Sequence, residues 1–456
     1  MTRPTRAWRA AAASAAALLA LTACGADPAD DTGSGGEPTT EESPTKEESP
    51  TKEESPTEDA EPAGETCPVP PPKKGNGQLT VGTLLPLTGD LAFLGPPEVA
   101  GVQLAVQDIN KAGGVLDKDV KLVQADSGDG SPDIAPSETD KLLNANVDAI
   151  VGAASSSVSL SVLDKIASAG VVQMSPANTS TAFDNCDDNG FYFRTAPSDV
   201  LQGAVLANLV AQDDHDNVAI LARQEAYGEA LANQTEKFFT QAGGNVVAKV
   251  FYTPEATNWT SEVQQIAAED PEAIVLIGFA ESLSIVSEMV SNDIGPDQKQ
   301  VYFVDGNTAD YSNEKTYGLD QGFLEGVRAT YPGAELTGDF RQRLLEVDPQ
   351  LESFTYGPES YDATVLIALA AIAGGDDSGA TIAGNLQAVS VEGTPCMTFE
   401  ECAGMLDSGE DIDYQGVSGP IDFNGTGSPS AATIGIFEYE ADNNFVNEDY
   451  VTGTTS

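Results

Sequence analysis

From Gln78 onward, short β-branched runs alternate with segments whose apolar residues recur every three or four positions. The runs Leu79–Leu84, Val120–Ala125, Ala149–Val151, Val171–Met174, Val218–Leu221, Val246–Phe251, Ala273–Ile277 and Val301–Val304 read as strands. Between them the period is helical. One helix is predicted from about Glu98 to Lys111, with Val99, Val102, Val106 and Ile109 on one face. Others are predicted over about Ser156–Ala169, Ser198–Gln212, Gly228–Ala242, Ser261–Glu269 and Ser282–Asn292. Glycines follow several of them, at Gly113-Gly114, Gly170 and Gly243-Gly244, where a helix C-terminus favours a residue without Cβ. Strand, helix, strand in this rhythm predicts an α/β protein with parallel sheets covered by helices on both faces. The body is longer than one such domain's usual range of roughly 50–200 residues, so two doubly wound, Rossmann-like lobes are expected.

Ligands of open parallel sheets sit beyond the carboxyl ends of the strands. The predicted strand at Ala149–Val151 runs into Gly152-Ala153-Ala154-Ser155-Ser156-Ser157 and then a helix. Hydroxyls and unpaired N–H groups at a helix start attract an anion, although Ser156 or Ser157 serving as an N-cap accounts for the same pattern. Val171–Met174 leads into Ser175-Pro176-Ala177-Asn178-Thr179-Ser180, and Val301–Val304 into Asp305-Gly306-Asn307. Asp126-Ser127-Gly128-Asp129-Gly130-Ser131-Pro132-Asp133 is rich in acids but lacks the alternation and closing Glu of a calcium loop. It reads as a strand-end turn, with Ser131 or Asp133 capping the next helix.

These segments carry a resemblance. Val81-Gly82-Thr83-Leu84-Leu85-Pro86-Leu87-Thr88-Gly89, Gly152–Ser157, Ser175–Thr179, Phe193-Arg194-Thr195-Ala196-Pro197-Ser198-Asp199, Tyr227-Gly228 and Gly416-Val417-Ser418-Gly419-Pro420-Ile421-Asp422-Phe423 stand in the order and spacing of the branched-chain amino-acid binding proteins. The likeness to these type I periplasmic binding proteins of ABC importers covers roughly Gln78 to Tyr439. It implies two lobes joined by three hinge crossings, with the first lobe at 78–197 and 330–412 and the second at 198–329 and 413–456. The apolar helix around Asp362–Ala373 then returns to the first lobe, being too short for a membrane span. Tyr331-Pro332-Gly333 lies near one lobe crossing.

The resemblance also implies a ligand set. Ser156, Ala177 (through its backbone carbonyl and N–H) and Thr179 would meet an amino acid's carboxylate. Asp305 would meet its ammonium with help from Ala177 and Thr179. Tyr227 would close over the ligand, and Phe93 and Ala154 would wall its side chain. Phe279 stands where the family often has Tyr, and Asp305 where it often has Glu. Either departure is compatible with another amine, an amide, urea or an aromatic acid. A ligand sensor on the same fold is the other alternative to import.

An enzyme needs a nucleophile with its base, a metal site or a cofactor loop. His215, the only histidine, sits in Asp213-Asp214-His215-Asp216 with no nucleophile motif beside it. Ser155–Ser157 lack the Gly-x-Ser-x-Gly elbow, and no Gly-x-Gly-x-x-Gly opens a helix. A binding protein without cofactor or metal is expected, acting as a monomer on a small molecule and handing it to ABC permease subunits.

The first residues refine where it works. Arg3, Arg6 and Arg9 precede an apolar Ala10–Leu21 run, which ends in Leu21-Thr22-Ala23-Cys24. This is a secretory signal over 1–23, and its end resembles the lipobox of bacterial lipoproteins. That likeness makes Cys24 the lipid-modified first residue of an extracytoplasmic, membrane-anchored protein. Residues 24–77 are dominated by Pro, Glu, Ser and Thr, with a repeated Glu-Glu-Ser-Pro-Thr, and read as a disordered acidic tether. The formal net charge of −51 disfavours nucleic acid and anionic headgroups as partners. Beyond Cys24, four cysteines remain: Cys67, Cys186, Cys396 and Cys402. Three connectivities are open. The short Cys396–Cys402 loop is the easiest pair, which would leave Cys67 with Cys186.

Overall fold

The computed structural model describes residues 66–131 and 133–455. The signal, Cys24 and the repeat lie outside the described residues, but the last part of the expected tether is ordered: Cys67 is bonded to Cys186, and the Gly75 and Gly77 N–H groups donate to Asp376 and Asp377. The first sheet is built from β1 (Thr80–Leu85), β2 (Lys121–Asp126), β3 (Ala149–Gly152), β4 (Val172–Ser175) and β5 (Tyr192–Arg194). Its order is β2-β1-β3-β4-β5, parallel throughout. Every residue of β1, β3 and β4 is buried, as expected for strands covered on both faces.

The second sheet takes β6 (Asn217–Arg223), β7 (Asn245–Tyr252), β8 (Ala273–Ile277), β9 (Gln300–Phe303) and β10 (Arg328–Pro332). After a small pair, β11 (Thr394–Cys396) with β12 (Ile412–Tyr414), it is completed by β13 (Ala431–Tyr439) and β14 (Phe445–Thr454). The order is β14-β13-β10-β9-β8-β6-β7, with β13 antiparallel to both of its neighbours. All eight predicted strands are present within a residue or two at either end.

The chain passes between the sheets three times, after β5, after β10 and before β13. Tyr331 and Pro332 end β10 at the second crossing, where Gly333 takes φ 144. Helix Gly357–Gly374 returns to the first sheet and is buried on all sides from Glu359 to Ala371. It packs against helix Gly95–Lys111 so closely that a Cβ on Gly101 would lie 2.1 Å from the Gly357 carbonyl oxygen. The first core also takes Tyr414, Ile421 and Phe423. The segment from 413 to 423 therefore packs with the first sheet, whereas the sequence reading placed it in the second lobe. Its apolar residues follow β12, which is already committed to that core.

Two local expectations are corrected. The helix Ala135–Asn144 is capped by neither Ser131 nor Asp133; Ile134 precedes it without a side-chain cap, and Pro136 sits in its first turn. The Ser131 N–H is instead held by Asp129 Oδ1 at 3.0 Å. At helix Ser156–Ala169 the N-cap is Ser155, whose hydroxyl accepts from the Val158 N–H, which leaves Ser156 as the first helical residue. The cysteines pair as Cys67–Cys186 and Cys396–Cys402.

Candidate functional site

The carboxyl ends of β3 and β4 deliver two short loops that one asparagine ties together. Asn178 Nδ2 donates to the carbonyls of Ala153 (3.1 Å) and Ala154 (2.7 Å), while its Oδ1 accepts from Tyr192 Oη at 2.9 Å. Ser175 Oγ also donates to the Ala153 carbonyl, at 2.7 Å. Gly152, with φ 125, makes the turn, because a Cβ there would meet the Leu84 carbonyl oxygen at 2.0 Å. The fully buried Arg194 binds the carbonyl of Ser180 at 2.9 Å. This network sets Ala154, Ser156, Ala177 and Thr179 side by side on the first-lobe wall.

The second-lobe wall comes from the residues after β6, β8 and β9. Tyr227 lies in the first turn of helix Ala226–Gln241, whose N-cap Glu225 holds the Tyr227 and Gly228 N–H groups. Phe279 stacks on Tyr227, ring centroids 5.8 Å apart. Asp305 follows β9 and is buried. Its Oδ1 accepts from Tyr227 Oη at 2.7 Å and Gln202 Nε2 at 3.0 Å, and its Oδ2 from Tyr356 Oη at 2.9 Å. Burial pushes the Asp305 carboxyl up from its ordinary pKa, against the pull of those three donors. Nearby Asp199 is also pushed well up, by burial first and then by the charge of Asp305.

The two walls meet. Leu91, Leu94, Ala154, Ser155, Ser156, Ala177 and Tyr356 face Tyr227, Phe279, Asp305 and Gly306 around a narrow cavity of about 20 Å³. Ser180 Oγ donates to the Ala226 carbonyl across the cleft at 2.8 Å. A separate groove of about 370 Å³ is lined by Asp129, Ser157, Arg223 and Glu225 among others.

The sequence-predicted residues Ala154, Ser156, Ala177, Tyr227, Phe279 and Asp305 all line this cavity. Thr179 is fully buried outside that lining, its hydroxyl beside the Asp199 carboxyl. Two details differ from expectation. The Ala177 N–H is spent on Ser175 Oγ at 3.2 Å, so its carbonyl is what remains for a ligand. Phe93 does not line the cavity; it is half-buried against the second-lobe cores. The loop after β1 turns through Gly89 (φ 92), and hydrogen bonds of Ala92 N to Gly89 O and Leu94 N to Leu91 O make it a tight helical turn. Residues three apart then share a face, so Leu91 and Leu94 point inward and Phe93 does not. Sequence reasoning also missed Gln202 and Tyr356. Both lie far from Asp305 along the chain, and no local pattern marks them.

The acid-rich loop after β2 has a structural use. Asp126 Oδ1 accepts from the N–H groups of Leu87 and Gly128, both at 2.9 Å, and Asp129 Oδ2 from the Asp90 N–H at 2.5 Å. These bonds pin the Leu87–Asp90 turn that carries Leu91 and Leu94. No group of three or more His, Cys, Asp or Glu placed to hold a metal occurs among the described residues.

Residues 78–429 match the profile of the periplasmic binding protein family. The chain belongs to that family. Its fold is that of the type I binding proteins, and members of the family bind solutes rather than transform them. The chemotactic signal transduction system substrate-binding protein BasB of Halobacterium salinarum is 29% identical over 368 residues, 77% of this chain and 84% of its own. The Leu/Ile/Val-binding protein BraC3 of Rhizobium johnstonii is 31% identical over 207 residues, 45% of this chain and 55% of its own. Among solved structures, the isoleucine complex of LivJ from Streptococcus pneumoniae superposes with TM-score 0.66 at 20% identity, covering 83% of this binding protein and 99% of LivJ. A 4-hydroxybenzoate-bound solute-binding protein from R. palustris gives TM-score 0.68 at 16% identity, covering 83% and 97%.

Proposed function

We propose that this substrate-binding protein captures an α-amino acid with a small or branched apolar side chain and delivers it to an ABC importer from the outer face of the cell membrane. The observation that carries the reading is the opposition of two walls of unlike chemistry. Ser156 at a helix N-terminus and the buried Thr179 hydroxyl suit a carboxylate, while Asp305 faces Ser156 across the cavity and suits an ammonium. A zwitterion needs that separation of sites, and charge-assisted bonds fix its orientation. Leu91, Leu94, Ala154 and Phe279 supply the apolar wall. The anchor is Cys24, with the residues between it and the Cys67–Cys186 disulfide as the tether.

A panel of amino acids, amides, urea and aromatic acids, titrated calorimetrically, tests the ligand class. Binding of amino acids with Asp305→Asn weaker by about tenfold to a hundredfold supports it. Binding of amine-free aromatic acids alone overturns it. Palmitate labelling that survives Cys24→Ala overturns the anchor.

Its likeness to BasB favours a second reading, in which the loaded protein reports to a chemotaxis receptor. Loss of chemotaxis with unchanged uptake in a deletion strain would select that reading.

A further inference from the structure

Asp305 is held from both lobes, and the way its acceptor sites are divided bears on selectivity. An ionised carboxylate offers about four lone-pair sites. Tyr227 Oη and Gln202 Nε2 take both sites on Oδ1, and Gln202 is itself steadied by the Thr330 carbonyl at 3.1 Å. Tyr356 Oη takes one on Oδ2 at 2.9 Å. With the Asp305 N–H also close to its own carboxylate, at most one acceptor site remains, on Oδ2 beside the tyrosine hydroxyl.

Tyr356 reaches this position from the other lobe and from an unusual backbone. It sits in the left-handed region, φ 59 and ψ 6, directly before helix Gly357–Gly374. A bulky side chain adopts that region rarely, and such outliers concentrate at functional sites. The turn is fixed by Gly357 N to Phe354 O at 3.0 Å, by Ser360 N to Tyr356 O at 3.0 Å, and by Arg341 stacked 4.4 Å over the Phe354 ring. Tyr356 is buried and lines the cavity with Leu91, Leu94 and Phe279.

We propose that Tyr356 is a specificity-determining residue of the cleft. Its hydroxyl reduces the open face of Asp305 to a single acceptor site, so the cleft selects an unhindered primary ammonium over an N-alkylated amine. The inference rests on the reading that Asp305 meets the ligand's ammonium. One N–H of a primary ammonium goes to Asp305 Oδ2. The other two fit the Ala177 carbonyl, which has no partner among the described residues, and the Thr179 hydroxyl, which lies beside Asp199. An N-methyl group removes one of these donors and meets the Tyr356 hydroxyl.

The test uses three pairs of probes: alanine, leucine and phenylalanine, each with its N-methyl counterpart, titrated calorimetrically into the full chain. In the wild type the primary amine of any binding pair should be favoured by about tenfold or more, the cost of a lost bond to a charged group. Tyr356→Phe keeps the ring and removes the hydroxyl, so that preference should shrink severalfold. Equal binding of both members of a pair by the wild type overturns the proposal without any variant. A preference unchanged in Tyr356→Phe also overturns it, while leaving the amino-acid reading intact. No binding by any pair overturns the amino-acid reading and this inference together.

Discussion

Arg223 and Glu281 form a buried ion pair behind the ligand wall: Arg223 Nη1 lies 2.6 Å from Glu281 Oε1, and both side chains are about 95% hidden from solvent. The guanidinium also sits 3.8 Å over the Phe279 ring, and Glu281 Oε2 accepts from the Phe279 N–H at 3.1 Å. The pair thus holds the aromatic wall from behind. Removing one member of a buried pair leaves the other uncompensated, which costs about 3–5 kcal/mol. Glu281→Ala should lose that much in urea denaturation, and Glu281→Gln, which keeps a hydrogen-bonding group, should lose less. Equal stability of Glu281→Ala and wild type would remove the pair from the account.

Thr179 tests the anionic end of the cleft. Its buried hydroxyl lies beside the Asp199 carboxyl, so Thr179→Val should lower the melting temperature only modestly. Ligand affinity should fall by about tenfold, since a hydrogen bond to a charged group contributes roughly 1.5–3 kcal/mol. A variant that melts earlier but binds as tightly would make Thr179 a core residue only.

Glu359 gives a pH dependence with a definite sign. Burial pushes its carboxyl from the ordinary 4.5 up to about 8, and the charge of Asp362 adds to the shift. Its neighbour Glu98, completely buried with neither carboxyl oxygen hydrogen-bonded, is held well above the ordinary value too. Between pH 4.5 and about 8 the folded form keeps the Glu359 proton that the unfolded chain has lost. Stability from this group is therefore fully present below pH 4.5 and is lost as pH rises through about 8. Scanning calorimetry should show the melting temperature falling over that window, and Glu359→Gln should flatten the slope. An unchanged slope in the variant counts against Glu359 as the source.

The two disulfides should differ in weight. Cys67–Cys186 spans 119 residues of sequence and Cys396–Cys402 only 6. In the chain-entropy account a longer closed loop stabilises more, typically by about 2–4 kcal/mol. The Cys67→Ser, Cys186→Ser double variant should melt well below the Cys396→Ser, Cys402→Ser one. The reverse order would show that strain or packing outweighs loop entropy here.

Hydrophobic periodicity alone located eight strands and six of the helices, because elements buried on a sheet face must keep their apolar residues in register. It overlooked β5, β11 and β12, which are three residues each, too short to show a period. It also overlooked β10 and β13, which flank two of the crossings, and β14, a mostly exposed edge strand carrying Asn447, Glu448 and Asp449. The motifs after β3, β4 and β9 named most of the cavity, since a strand end fixes where the following residues emerge.

What the sequence could not determine was which distant side chains converge there. Tyr356 meets Asp305 only because the chain crosses back to the first lobe and enters helix Gly357–Gly374 through a left-handed residue. Leu91 and Leu94 displace Phe93 only because hydrogen bonds wind their loop into a tight turn. Local pattern is set by burial along one element. The division of a carboxylate's acceptor sites is set by contacts between elements, and those exist only once the lobes have packed.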